Sequence, residues 1–574
     1  MAYNTTIAAL CTTAHLAPMF AGFTALDSVV YHNANLTATL VTNYTNTPGS
    51  GPTWPEHTGL NFCNVSITYG HINLEDSVSL DHSSPIHLVP HAHQLTTKII
   101  NEFWLPNPVD YKNRVLATGG GGWSNSGASS MGGGLSYGAV SVYTDGGFGG
   151  PTSALNSNIL QAGGNETIAW SALESYAFLA NHEMITNARQ LASAFYNVTA
   201  DHIKTYYFGC SEGGREGLKA IQTYPKDYDG VIAAAPGIYL PLTQPIQNFA
   251  AWTMAQMQHI IDPCAFVAIQ NDIIAACDTA DGLRDDIVSR PDLCTYNISN
   301  SIGTMWSNCT QGGPGAPTSG TVSEADAQLV TTLYKGPLLK NGERTWFAYN
   351  LGIDWTSNGG TVWNNETQSF DLGSFSYFKD VYQMFWAQNT ATPVINFTEV
   401  STDLVYQNIS SLFRLIGGWT TSAWPDLSEF QAAGGKAITW HGTQDQLLPT
   451  IMSASYYEDV RRHMFGANST YAQIQEFYRY FQVPGADHCS INPAEPHGPF
   501  PQYAIAQLID WVERGIAPDT LNGTTQSGSS TQEIVCMWPS APVWDVNGTF
   551  GCETTANFAE TLIQKPDAWK ISLF

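Results

Sequence analysis

The chain has 574 residues, of which 43% are hydrophobic and 12% aromatic; this excludes disorder as its main state and allows a large buried core. Only 12% are charged, and 22 Lys+Arg against 48 Asp+Glu leave a formal charge of −26. Such a chain repels phosphate backbones and anionic lipid, so neither nucleic acid nor a membrane is expected as a partner, and no apolar run reaches the roughly 18 residues of a span.

The first predicted strands lie between 63 and 145. Cys63–Tyr69 and Ile99–Pro106 alternate apolar and polar positions. Arg114–Thr118 is a short apolar run ending in the glycines 119–122, and Gly138–Tyr143 is another. Residues 168–197 read as a helix, because Ile168, Trp170, Leu173, Tyr176, Ala177 and Leu179 fall near one face. A strand at 204–209, a helix at 213–224 and a strand at 229–237 follow. This strand–helix–strand rhythm predicts a mainly parallel sheet. Residues 238–435 break it with four cysteines, a Gly/Pro/Ser/Thr loop at 310–322, and many aromatic residues from Trp346 to Trp386. The rhythm returns at 436–442, continues through 481–485, and ends in an amphipathic helix at 504–514. The reading is therefore an α/β domain in two pieces, 1–237 and 436–574, around an inserted domain at 238–435.

The ten cysteines contain no CxxC pair, which argues against zinc or thioredoxin chemistry. Asn-x-Ser/Thr sequons are dense, from Asn4 and Asn35 to Asn522 and Asn547. An even cysteine count, N-glycan acceptors and few charges together predict a secreted, extracellular glycoprotein. Met1–Thr6 has neither a basic nor an apolar signal region, and reads as a start left after signal removal.

Gly209-Cys-Ser-Glu-Gly213 is a G-x-S-x-G sequence between a predicted strand and a predicted helix. A serine on such a turn has a strained backbone and tolerates only small neighbours, and the helix behind it offers N–H groups to an oxyanion. Ser211 is thus the candidate nucleophile, and the alternative is a tight turn with an incidental serine. It needs a general base, and in this order acid and histidine come later in the chain. Asp445 follows a strand in His441-Gly-Thr-Gln-Asp445, and His488 sits on a loop before the last helix. Asp445 is assigned as the orienting carboxylate and His488 as the base, with His441 a structural neighbour and Asp487 the weaker acid candidate. Cys210 precedes the serine and Cys489 follows the histidine. If serine and imidazole meet, those two cysteines come within disulfide range, the alternative being two buried thiols.

Gly-Cys-Ser-Glu-Gly-Gly-Arg-Glu-Gly217, the later Asp445, and Gly485-Ala-Asp-His-Cys489 resemble the tannase/feruloyl esterase family. Cysteines beside both serine and histidine carry the resemblance most specifically. It extends to Thr118–Trp123, Tyr224–Gly230, Ala276–Leu283 and Asp510–Gly515, and the tail Cys536–Trp544 is similar to the fungal tannase branch. The resemblance implies an α/β-hydrolase fold with a large inserted lid domain, acting on esters of aromatic acids. Where many members carry a histidine after the strand at 138–143, this chain reads Tyr143-Thr-Asp-Gly-Gly-Phe148.

The oxyanion hole is expected to use the N–H of Glu212 and one from the glycine loop, Gly120 or Gly121. The alternative is a flexible loop without a catalytic role. In Cys277–Val288, carboxylates at 278, 281 and 285 surround a glycine turn, which suits Ca²⁺ or a solvated acidic turn. The resemblance implies a structural Ca²⁺ held by Asp278, Asp281 and Asp285 side chains with the Leu283 and Ile287 carbonyls, and no catalytic cofactor. His82, His87, His91 and His93 fit no standard metal spacing. The remaining cysteine pairings expected are Cys277–Cys294, Cys11–Cys63, Cys536–Cys552 and, by elimination, Cys264–Cys309. The aromatics of the insertion read either as its own core or as a cleft for a phenolic ring. The expected activity is a serine esterase releasing gallate from tannins, or alternatively a feruloyl esterase acting on hydroxycinnamoyl esters. The substrate partner is a small-molecule or polymer-linked phenolic ester.

Overall fold

A computed structural model describes residues 6–21, 23, 29–47, 54–71, 98–147, 170–373, 397–525 and 534–554. The four histidines from His82 to His93 and the aromatic run from Phe375 to Trp386 lie outside these residues. The chain divides into two compact units, one of Met1–Thr47 with Pro55–Val231, the other of Pro48–Trp54 with Ile232–Phe574.

In the first unit the strands are β1 (Val29–Asn46), β2 (His57–His71), β3 (Ile99–Pro106), β4 (Arg114–Thr118), β5 (Ala139–Thr144) and β6 (Lys204–Cys210). In space they run β1-β2-β3-β5-β4-β6. From β1 to β5 the neighbours are antiparallel, whereas β4 pairs parallel with both β5 and β6. The mainly parallel expectation is thus corrected for the N-terminal strands. Alternation announces a half-buried strand but says nothing about the direction of its neighbour. On β3 the pattern is real, since Ile99, Phe103 and Leu105 are buried while Ile100, Glu102 and Trp104 are half-buried. Once β4 and β5 are covered on both faces the alternation vanishes, and all six residues of β5 are buried.

The predicted helix at 168–197 is described from Trp170 onward, and one wider π-turn, Ser175–Leu179, separates Trp170–Glu174 from Ala180–Tyr196. It ends where Asn197 adopts a left-handed conformation, φ 53°. The helix Glu212–Thr223 follows β6 directly. Strand β7 (Gly230–Ala234) carries the chain into the second unit.

In the second unit β8 (Lys436–Gly442) pairs parallel with β9 (Tyr478–Val483), joined by the helix Thr450–Phe465, and Ala504–Arg514 is helical as its period demands. Residues 238–435 contribute the helices Pro263–Cys277, Glu324–Lys335 and Thr402–Thr420 to the same unit. Asp262 caps the first of these, and a Ser323–Asp326 capping box opens the second. Trp346, Phe347 and Trp355 of the insertion are 1–4% exposed, so these three form core rather than a cleft wall.

Four disulfides are Cys11–Cys63, Cys264–Cys309, Cys277–Cys294 and Cys536–Cys552. Cys210 and Cys489 are each disulfide-bonded as well, and no cysteine is free. Among the described residues, no helix is long and apolar enough to cross a membrane.

Candidate active site

Ser211 stands at the turn from β6 into the helix Glu212–Thr223, with φ 65° and ψ −118°. A non-glycine residue at positive φ is costly and persists only where the surroundings impose it. Here they do, because the turn is packed too tightly for side chains on either flank. A Cβ on Gly209 would meet the Gly213 carbonyl carbon at 2.5 Å, and one on Gly213 would meet the Gly120 oxygen at 2.8 Å. The G-x-S-x-G spacing is therefore a requirement of this backbone contact. Glu212 is the first helical residue, so the helix supplies no partner for its N–H.

The glycine loop after β4 lies directly on this turn. Gly213 N–H donates to the Gly120 carbonyl at 2.9 Å, and Gly120 N–H donates to Glu216 Oε2 at 3.0 Å. A Cβ on Gly119 would fall 1.8 Å from the Tyr207 hydroxyl. The loop is thus anchored, and the expectation of Gly120 as an oxyanion donor is corrected: its N–H is spent on a buried carboxyl. Gly121 is exposed, with open space where a Cβ would stand, and it is bridged to Ser124, whose N–H donates to the Gly121 carbonyl at 3.1 Å.

The second unit brings Asp445 and His488 together. Asp445 follows β8 and is 1% exposed. Its Oδ1 accepts the backbone N–H of Leu447 at 2.9 Å and of Leu448 at 2.7 Å. Its Oδ2 is 2.7 Å from His488 Nδ1 and 3.0 Å from His441 Nε2. Burial alone would push this carboxyl up, but the two imidazoles and their hydrogen bonds hold it well below the usual carboxylate range. His488 is half-buried, and its N–H donates to Gln446 Oε1 at 3.0 Å. With Nδ1 committed to Asp445, the ring leaves Nε2 for proton transfer.

His441 is completely buried. Its Nε2 faces two acceptors, Asp445 Oδ2 and the Leu448 carbonyl at 2.9 Å, so that nitrogen carries the proton; Nδ1 then accepts from Ser453 Oγ at 2.8 Å. It acts as a clamp on the acid. Asp487 makes no such contact with His488. Burial, then the charges of Asp354 and Asp445, push its carboxyl up to about 8, and its buried Oδ1 has no hydrogen-bond partner. The insertion also holds the acid's loop: Asn350 Nδ2 donates to the Thr443 carbonyl at 2.7 Å, Tyr349 Oη to that of Leu447 at 3.3 Å, and Gln444 Nε2 to that of Leu351 at 3.2 Å.

At 277–288 the Asp278 Oδ1 accepts the N–H groups of Asp285 and Asp286 at 2.8 and 3.0 Å, and Asp281 Oδ1 accepts that of Leu283 at 3.0 Å. Asp278 and Asp281 are 0% and 2% exposed, and each buries an Oδ2 without a hydrogen bond. The side chain of Arg284 reaches Asp278 only at 4.0 Å and is itself exposed. Buried carboxylate oxygens left so call for a cation. Among the described residues no three His, Cys, Asp or Glu side chains are gathered as a metal cage, so backbone oxygens would have to complete the shell. The donor chemistry fits a hard cation. Gly282, at φ 96°, is pressed so close to the Trp544 carbonyl that a Cβ would lie 2.3 Å from it.

The family profile described as "Tannase and feruloyl esterase" matches residues 87–559. A tannase of Aspergillus oryzae is 30% identical over 568 residues, covering 92% of this chain and 91% of that protein. The solved structure of tannin acyl hydrolase from Aspergillus niger is 31% identical, covers 100% of both chains, and superposes with a TM-score of 0.88. Feruloyl esterase B from Aspergillus oryzae, 22% identical over 94% of this chain and 100% of that one, shares the fold with a TM-score of 0.68. The chain is thus a carboxylic ester hydrolase of α/β-hydrolase fold. It belongs to the tannase and feruloyl esterase family.

Site residues the sequence did not reveal are Gln446, Tyr207, Asn125 and Glu216. Only for Glu216 was there a signal: a second acidic residue one turn after Glu212, within a run too rich in glycine to be a solvated face.

Proposed function

We propose that this chain is a secreted serine esterase that releases an aromatic acid, gallate in the first instance, from phenolic esters. Ser211 Oγ attacks the ester carbonyl while His488 Nε2 takes its proton. Asp445 holds the imidazole in the Nδ1–H tautomer and stabilises the imidazolium. The N–H group of Glu212 receives the oxyanion, with a second donor from the glycine loop 119–122. His488 returns the proton to the leaving alcohol, and water, deprotonated by the same imidazole, then cleaves the acyl-serine to the free acid. The observation that carries this reading is the Asp445 carboxylate fixed on four donors with His488 Nδ1 among them. Gallate stands first because the relatives at 30–31% identity over almost the whole chain are a tannase and a tannin acyl hydrolase.

Secretion is supported by the absence of any free cysteine and by sequon asparagines such as Asn35, Asn297, Asn365, Asn468 and Asn547, which are exposed and open to N-glycans. In the insertion, Asp278, Asp281 and Asp285 with the Leu283 and Ile287 carbonyls would hold a structural Ca²⁺, which neutralises the buried carboxylates. Steady-state kinetics on methyl gallate and methyl ferulate, with Ser211→Ala as control, test the function. Gallate preference with an inactive variant is expected. A large preference for ferulate overturns the substrate, and an active Ser211→Ala overturns the mechanism.

A further inference from the structure

The helix behind the nucleophile buries three ionisable residues in little more than one turn. Glu212, Arg215 and Glu216 are 1%, 0% and 3% exposed. Glu212 and Arg215 answer each other at 2.6 Å, and the guanidinium also donates to the Ala177 carbonyl at 2.9 Å. Glu216 faces a different set of groups. Its Oε1 accepts from Asn125 Nδ2, and its Oε2 accepts from Gly120 N–H and lies 2.9 Å from Tyr207 Oη.

The protons of this cluster favour one state. Tyr207 has one hydroxyl proton, and its oxygen is 2.8 Å from the Gly213 carbonyl, which can only accept. When Tyr207 donates there, its contact with Oε2 is a hydrogen bond only if the carboxyl supplies the proton. Asn125 spends one amide proton on Oε1 and the other on the Tyr176 carbonyl at 2.9 Å. Every contact is satisfied when Glu216 is a neutral acid. Burial, with the Glu212 charge adding and Arg215 opposing, raises its carboxyl to about 8.

We propose that Glu216 is a positioning residue of the oxyanion hole: as a neutral carboxylic acid it ties the glycine loop to the nucleophile helix and so sets the direction of the Glu212 N–H. Gly120 is gripped at its nitrogen by Glu216 and at its oxygen by Gly213 N–H. The Gly213 N–H that holds this oxygen follows Glu212 in the first turn of the helix, so the grip on the loop also fixes the backbone on which the Glu212 N–H stands. Preorganised donors cost no reorganisation at the moment of reaction, and losing one typically costs 10²–10³-fold in kcat. This proposal rests on the serine-esterase reading above.

The test compares Glu216→Leu, Glu216→Gln and Tyr207→Phe with the parent enzyme in kcat and KM on methyl gallate. It adds the affinities of an arylboronic acid, which forms a tetrahedral serine adduct, and of the free product acid. Glu216→Leu is expected to lose about 10²-fold in kcat and in boronate affinity, with KM and product affinity changed less than threefold. Glu216→Gln, which still offers Gly120 an acceptor, should recover to within about tenfold, and Tyr207→Phe should fall between them. Difference infrared spectra of parent minus Glu216→Gln should show a protonated carboxyl band at pH 6.5. A folded Glu216→Leu enzyme with parental kcat and boronate affinity overturns the proposal, as does a loss confined to KM. Should Glu216→Leu not fold, parental kcat in Tyr207→Phe together with no carboxyl band overturns it. Ser211→Ala assayed in parallel separates the two readings: if it still hydrolyses the ester, the serine mechanism falls, and this proposal with it.

Discussion

Replacing Asp445 by asparagine turns one acceptor oxygen into an NH₂ donor and changes almost nothing in shape. The carboxylate accepts from four donors, the N–H groups of Leu447 and Leu448 on one oxygen and the two imidazoles on the other. An amide must turn its NH₂ toward one of these pairs. Facing the backbone, it leaves two buried N–H groups unpaired, at about 1–3 kcal/mol each. Facing the imidazoles is the milder choice, because His441 retains the Leu448 carbonyl as acceptor. It forces His488 to accept at Nδ1, however, which puts the proton on Nε2 and removes the base. Loss of the tautomer in such triads lowers kcat about 10⁴-fold, or roughly 5 kcal/mol on the barrier, while ground-state binding is untouched. The assay is kcat and KM on methyl gallate for Asp445→Asn and Asp487→Asn side by side, with thermal melts to confirm folding. A folded Asp445→Asn enzyme within tenfold of the parental kcat would refute the reasoning, and so would an Asp487→Asn enzyme as inactive as expected for Asp445→Asn.

Asp487 offers a stability test with a defined sign. Its folded carboxyl is pushed up to about 8, so between about pH 4 and 8 the native state keeps a proton that the unfolded chain releases, and stability falls as pH rises. Asp487→Asn removes this slope, so its melting temperature should gain on the parent's progressively across that range, by an amount worth a few kcal/mol at most; parallel curves would contradict it. The glycines separate packing from chemistry. Gly119→Ala drives a methyl into the Tyr207 hydroxyl and should lose activity or fold, whereas Gly121→Ala, with nothing within 4 Å and its N–H intact, should retain kcat within about threefold. If the acidic loop holds Ca²⁺, EDTA should lower the melting temperature, added Ca²⁺ should restore it, and Asp281→Asn should abolish the difference. A melt indifferent to chelation would remove the ion from the account.

Local chemistry made much of this protein legible from its sequence. The turn at Ser211 needs glycine at 209 and 213 because the crowding arises within five residues and beside one neighbouring loop. Asp445 was readable because a strand that ends in His-Gly-x-x-Asp must release its acid at the strand end, and here Asp445 follows β8 by three residues. The helix Ala504–Arg514 announced itself by its period. Tertiary contact decided the rest. The strand Val29–Asn46, rich in threonine and asparagine, was not read at all, and the antiparallel direction of its neighbours was not readable either, since strand direction is a property of pairs. Gly120 and Gly121 are the same residue type side by side, and only a carboxyl reaching in from 96 positions away shows that the Gly120 N–H is spent. Glu216 itself shows the limit most directly. A glutamate in sequence is a charge on a surface by default, and it becomes a neutral buried acid only when a tyrosine from β6 and an asparagine and a glycine from the loop after β4 leave it no water and one proton to supply.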